Sequence, residues 1–212
     1  MVVPSIVADY SQLHAMISLF RGGGNVFDYP QSLDCVIMKK HSKVNSVLVM
    51  VMGLPGSGKS YFAKGLAKEI GAEYLGSDEI RKEIGLMGSY QMDNKLSVYE
   101  EMLSRAKEIH KSGRSLVLDG TFYLQKIRDP FISFAKSLSW KLLIIHIKAD
   151  EELISKRLSK PREDSEADME VYQKIKSEFE PIREAHLLIQ STDSALQESV
   201  EKAVKYIHSD HE

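Results

Sequence analysis

The chain has 212 residues, 43% of them hydrophobic and 27% charged, with a formal net charge of −2. That length holds one sizeable domain, or one domain and a small appendage, and the composition is that of a globular protein rather than a disordered or low-complexity one. With 28 Lys and Arg against 30 Asp and Glu, the chain lacks the basic excess that coating long nucleic acid requires, although a site gripping one nucleotide or one end is still compatible.

Cys35 is the single cysteine, so no disulfide forms within the chain and a reducing compartment is expected. It reads as a small apolar filler, with a nucleophile as the alternative. Asp9 interrupts the little apolar sequence near the start and no stretch is long enough to span a bilayer, so a cytoplasmic location is expected.

Residues 1–45 read as an N-terminal extension. Gln12 to Phe20 has helical spacing at Leu13, Met16, Ile17 and Phe20 and stops at Gly22-Gly23-Gly24, while Leu33 to Met38 reads as a short strand. Lys39 to Lys43 is a basic link. The extension is either a packed appendage or an element that binds a partner or substrate.

From residue 46 the pattern becomes regular. Ser46 to Met52 is a continuous apolar run of buried-strand length, followed by Gly53-Leu54-Pro55-Gly56-Ser57-Gly58-Lys59-Ser60 and then a helical stretch to Ile70. The eight-residue stretch fits G-x-x-x-x-G-K-[ST], the phosphate-binding P-loop, in the strand–loop–helix context that motif needs. Its glycines let successive N–H groups turn into one concavity at a helix N-terminus, where phosphate binds. Gly53, Pro55, Gly56, Ser57 and Gly58 are therefore candidate nucleotide-binding residues. Lys59 is expected to reach the β- and γ-phosphates, and the Ser60 hydroxyl to be a ligand of the magnesium that bridges them.

Ala72 to Gly76 reads as a strand, with a helix starting at Ser77 or Asp78, both good N-caps. Asp78 and Arg81 are three apart and share a face of that helix. Asp78 can take the proton of an attacking hydroxyl, and Arg81 can hold an anionic group of the acceptor. A long helix is expected from about Asp93 to Ser112, where Val98, Met102, Ala106 and Ile109 make one apolar stripe, ended by Gly113.

Ser115 to Asp119 is an apolar run closing on an acid. Asp119 there matches a Walker-B carboxylate holding magnesium, a task Asp78 could share, and Gly120-Thr121 leaves room for substrate. Thr121 is a candidate substrate contact. Arg128, on the expected helix Gln125 to Ser137, is a further candidate for acceptor binding.

Strand Lys141 to Ile147, helices Asp150 to Ser159 and Ser165 to Glu180, strand His186 to Gln190 and helix Ser194 to His208 complete the series. Alternation of this kind predicts an α/β fold, a parallel sheet with helices on both faces that binds its ligand at the carboxyl ends of the strands. Lys156 to Arg162 is a basic cluster broken by Pro161 between two helices. Arg157 and Arg162 are expected to act from a lid that closes over the phosphates, Arg162 offsetting charge on the transferred group. None of the seven histidines has metal-ligand spacing.

Together these stretches, Gly53 to Ser60, Ser77-Asp78-Glu79-Ile80-Arg81, Leu116 to Phe122, and Arg157-Leu158 with Arg162, resemble the P-loop kinases grouped with polynucleotide 5′-kinase and zeta toxin, AAA-type ATP-binding kinases. The resemblance covers roughly residues 46–208. It implies a P-loop NTPase/kinase fold with a five-stranded parallel sheet and an arginine-bearing lid, with ATP and Mg2+ as cofactors. It further implies that Asp78 is the general base, Arg81 an acceptor-binding arginine and Arg162 a lid arginine. The domain is placed at residues 46–212. The expected activity is transfer of the γ-phosphate of ATP to a hydroxyl, with a nucleic-acid 5′ end or nucleotide-like molecule as acceptor. A small metabolite such as a nucleotide sugar, or a slow ATP-hydrolysing module working through a protein partner, are the alternatives.

Overall fold

The computed structural model describes residues 46–88, 91–159 and 168–209. The helix, strand and basic link read in residues 1–45 fall outside these, as do Pro161 and Arg162. In chain order the elements are β1 (Val47–Met52), α1 (Lys59–Ile70), β2 (Glu73–Gly76), α2 (Ser77–Glu83), α3 (Met92–Lys111) and β3 (Leu116–Gly120). They continue with α4 (Gln125–Ser137), β4 (Lys141–Lys148), α5 (Glu151–Leu158), α6 (Met169–Glu178), β5 (His186–Gln190) and α7 (Leu196–His208).

The five strands form one parallel sheet in the order β2-β3-β1-β4-β5. β1 is central, and all six of its residues are buried. A strand's side chains alternate between faces, and β1 shows the result directly. Leu48, Met50 and Met52 join one core with Val98, Met102 and Ala106 of α3 and Ile127, Phe131 and Ala135 of α4. Val47, Val49 and Val51 join the other with Phe62, Ala63 and Leu66 of α1 and Val200, Ala203 and Ile207 of α7. An uninterrupted apolar run is what a strand covered on both faces requires, and this explains why β1 carries no polar alternation.

Two expectations change in detail. The second helix is capped by Gly76, with no side-chain hydrogen bond at the cap, so Ser77 and Asp78 lie inside the first turn instead of serving as N-caps. Helix α6 begins at Met169, where the Asp168 carboxylate accepts from the Val171 N–H at 2.9 Å. No described helix is long and apolar enough to cross a membrane.

Candidate active site

Residues 53–58 join β1 to α1 at the carboxyl edge of the sheet. Gly58, the cap of α1, has φ 89°, a left-handed value that L side chains rarely adopt. A Cβ there would also lie 2.7 Å from Ser191 Oγ and 3.0 Å from Arg157 Nη1. At Gly53 a Cβ would run into the carbonyl oxygen of Ile147. Helix α1 has no side-chain cap and no acid in its first turn, so its leading N–H groups and positive dipole end are left for an anion.

Lys59, only 9% exposed, opens α1 and is followed by Ser60. Beside them stands Asp119, 3% exposed, placed by register between Val51 of β1 and Gly76 of β2. Its Oδ2 accepts from the Tyr74 hydroxyl at 2.8 Å. Oδ1 has no well-formed hydrogen bond among the described residues, with the Ser60 hydroxyl nearby. Burial pushes the Asp119 carboxyl above the ordinary carboxylate range, while Lys59, Ser60 and Tyr74 pull against it. An orphaned carboxylate oxygen next to a hydroxyl, both oxygen donors, suits a hard divalent cation such as Mg2+. Among the described residues no cluster of three His, Cys, Asp or Glu offers a metal site of another kind.

Two of the cavities that border the loop carry charged residues singled out from sequence. One, of about 480 Å³, is walled by Gly58, Tyr61, Arg157, Thr192 and Leu196 on the α7 side. Arg157 is fixed there, donating to the Gly56 carbonyl at 3.3 Å, Ser191 Oγ at 3.1 Å, the Thr192 carbonyl at 3.3 Å and Asp193 Oδ1 at 3.1 Å. The other, of about 40 Å³, is walled by Pro55, Lys59, Asp78, Arg81, Lys95 and Thr121. Arg81 and Lys95 are each 6% exposed. The Tyr99 and Thr121 hydroxyls share a hydrogen bond of 3.2 Å at its edge.

The sequence-derived candidates thus fall into groups. Lys59, Asp78, Arg81 and Thr121 line the smaller cavity with Pro55, and Gly56, Gly58 and Arg157 line the larger one. Arg128 is corrected. It is fully buried, and its guanidinium donates to the carbonyls of Phe122 (2.9 Å), Glu180 (3.3 Å) and Pro181 (2.9 Å) and to Gln125 Oε1 (2.9 Å). It clamps two loops together and is not among the residues around either cavity.

That clamp supports a strained turn. Phe122, directly after Thr121, has φ 44°, which is costly for a bulky residue. Its N–H donates to the Tyr99 hydroxyl at 3.2 Å and its carbonyl is held by Arg128. Lys95, Tyr99 and the residues 191–196 were not singled out from sequence. Lys95 did leave a signal, since it stands in helical phase with Val98, Met102 and Ala106, where an apolar residue is expected.

A parallel 2-3-1-4-5 sheet with a Walker loop after its central strand and an acid ending the neighbouring strand defines the P-loop kinase fold. The chain belongs to the AAA domain family, whose model matches residues 48–182, well over half of it. It is 34% identical over 100 residues to an uncharacterized protein of Mycobacterium tuberculosis, a match spanning 41% of this chain and 20% of that protein. The chain thus accounts for about a fifth of the length of that relative. Among solved structures, a sugar kinase from Janibacter superposes with a TM-score of 0.60 at 20% identity, over 76% of this chain and 94% of that one. The M. tuberculosis APS kinase in complex with AMPPNP and APS gives 0.62 at 14% identity, over 78% and 99%. These two share the fold.

Proposed function

We propose that the chain is an ATP- and magnesium-dependent kinase that moves the γ-phosphate to the hydroxyl of a small or nucleotide-like acceptor. One observation carries the reading: a cavity bearing the Asp78 carboxylate adjoins Lys59 on one side of the P-loop, apart from the base-sized cavity on the other. A nucleotide switch needs the second of these but has no use for the first. Both solved neighbours named above are kinases.

In this reading the base of ATP lies against Gly58, Tyr61 and Arg157, and the phosphates lie on the N–H groups before α1. Asp78 takes the proton from the acceptor hydroxyl as that oxygen bonds the γ-phosphorus. The bond from the γ-phosphorus to the bridging oxygen breaks, and ADP leaves with the electron pair. Lys59 offsets charge on the transferring group, and Arg162 is assigned the same task from the lid. Magnesium, held through Asp119 and Ser60, would neutralise the phosphate oxygens. The catalysis is positioning and electrostatics.

The test is transfer of labelled phosphate from ATP to a panel of 5′-hydroxyl oligonucleotides, nucleosides and small metabolites. A kinase shows ATP turnover raised strongly by one acceptor, whereas a regulatory module shows slow turnover responding only to a protein partner. The Asp78→Ala variant should keep ATP binding and lose transfer; full transfer by that variant would overturn the base assignment.

A further inference from the structure

Gly120, Thr121 and Phe122 all close on one hydroxyl, that of Tyr99 on α3. Phe122 is held at φ 44°, and its N–H donates to Tyr99 Oη at 3.2 Å. Gly120, the last residue of β3, leaves that hydroxyl its place, because a Cβ there would lie 3.0 Å from Oη. The Thr121 hydroxyl, between the two in sequence, is itself 3.2 Å from Oη. The rest of Tyr99 is core, its ring packed against Phe122 and Phe131, and a phenylalanine would do that work equally well. What sets Tyr99 apart is its hydroxyl, beside a backbone kept in a costly conformation.

The direction of each hydrogen bond follows from its donors. A backbone N–H can only donate, so Oη accepts from Phe122. Burial pushes the Tyr99 hydroxyl above the ordinary tyrosine range, with Asp78 and Arg81 acting on it from a distance in opposite senses, so it keeps its proton. Among the described residues the one acceptor in hydrogen-bond contact with that proton is Thr121 Oγ1. Were Thr121 the donor instead, the phenol proton would be stranded in the core at a cost of about 1–3 kcal/mol. Tyr99 therefore donates to Thr121, and the Thr121 proton is turned away from it. Thr121 and Asp78 both wall the smaller cavity. One side of that cavity thus takes a proton and another offers one.

We infer that Tyr99 is a positioning residue that holds the Thr121 hydroxyl as a hydrogen-bond donor toward the acceptor, so that the acceptor must bring a second oxygen, with a free lone pair, near the hydroxyl that reacts. A donor on the attacking oxygen itself would hold back the lone pair that bonds phosphorus, and a neighbouring oxygen is free of that conflict. Sugars, polyols and nucleosides meet the requirement; their deoxy counterparts do not. The role toward the acceptor rests on the kinase reading, whereas the direction of the Tyr99–Thr121 bond is independent of it.

The experiment has two arms on the full chain. In the first, labelled phosphate is transferred from ATP to pairs that differ by one neighbouring oxygen: glycerol and the propanediol lacking its middle hydroxyl, ribose and deoxyribose, a nucleoside and its 3′-deoxy form, and a pair of the same kind built on whichever acceptor is used fastest. Wild type should prefer the oxygenated member by roughly threefold to tenfold in kcat/KM, the range of one neutral hydrogen bond. Thr121→Val should abolish the preference, Thr121→Ser should keep it and Tyr99→Phe should weaken it. The double variant should be no worse than Thr121→Val alone. Thermal unfolding is recorded for each, since a merely structural loss at Tyr99 lowers both members alike and adds to the loss at Thr121. In the second arm, neutron diffraction from deuterium-exchanged wild-type crystals locates the deuterons, expected on Oη along the line to Thr121 and on Oγ1 pointing into the cavity.

A deuteron on Oγ1 directed at Oη overturns the inference whatever the first arm gives. Equal use of both members by wild type, full preference in Tyr99→Phe, or a Tyr99→Phe loss that adds to that of Thr121→Val overturns it while leaving the kinase reading intact. The expected deuterons with no transfer to any acceptor overturn the kinase reading, and the role toward an acceptor falls with it.

Discussion

The Tyr74 hydroxyl donates to Oδ2 of Asp119 at 2.8 Å, so a strand-edge tyrosine holds one oxygen of the buried acid at the end of the neighbouring strand. The bond opposes the burial that pushes the Asp119 carboxyl up. Tyr74→Phe removes it, and the carboxyl should rise further. Because the charged form is the one that can hold magnesium, the acid limb of the pH–rate profile should move to higher pH and the half-saturating Mg2+ concentration should increase. An unmoved acid limb and unchanged magnesium dependence would show that Asp119 takes no part in metal binding.

Arg128 makes a prediction of another kind, about stability before activity. Replacing it by methionine keeps the apolar stem but leaves the carbonyls of Phe122, Glu180 and Pro181 without their shared donor. Only the Phe122 carbonyl is buried, since Glu180 and Pro181 are exposed and their carbonyls can turn to water, so a loss of about 1–3 kcal/mol in urea unfolding is expected. The strained Phe122 turn should loosen with it, lowering kcat more than it alters ATP affinity. Unchanged unfolding would mean that the clamp is idle.

The nucleotide side is tested at Arg157. Its guanidinium ties the loop carbonyl of Gly56 to Ser191, Thr192 and Asp193, and so fixes one wall of the larger cavity. Arg157→Ala should raise the dissociation constant for ATP by about tenfold, the loss of roughly one charged hydrogen bond, as read by fluorescent-nucleotide binding. Full affinity in the variant would place the base elsewhere.

Much of this site could be read from sequence because its parts are local. An apolar run ending in Gly53, another ending in Asp119, and Asp78 with Arg81 one helical turn apart each carry their meaning within a few residues. The parts that escaped are made by packing. Thr192 and Leu196 follow the last strand with no motif, yet β5 lies beside β4 and brings them to the loop. Arg128 looked like a site residue because it follows Asp119 closely. In the fold it turns inward to carbonyls of the segment after α6, which no spacing within α4 announces. Lys95 also escaped, although it is a cation in phase with an apolar stripe, and the fold places it on the wall of the smaller cavity.

His146 carries the last prediction. It sits on β4, inside the sheet, with its ring stacked on Phe179 at 5.4 Å and an interplanar angle of 11°. Together with Ser57, Tyr172 and Phe179 it lines a further cavity of about 490 Å³ on the α6 side of the P-loop. Burial lowers its pKa to about 4, helped by the charges of Lys148, His186 and Arg128. The imidazole is therefore neutral in the folded protein well below the pH at which it would protonate in the unfolded chain, near 6.5. Between those two values the unfolded state binds the extra proton, so stability rises with pH through this window and is lost as pH falls from about 6.5 toward 4. His146→Phe removes the titration and preserves the stack. The difference in unfolding free energy between wild type and variant should change steadily across that window and level off on both sides of it, measured by denaturant unfolding at closely spaced pH. A difference that stays constant from pH 7 to 4 would mean that His146 titrates normally and that its burial against Phe179 does not control its charge.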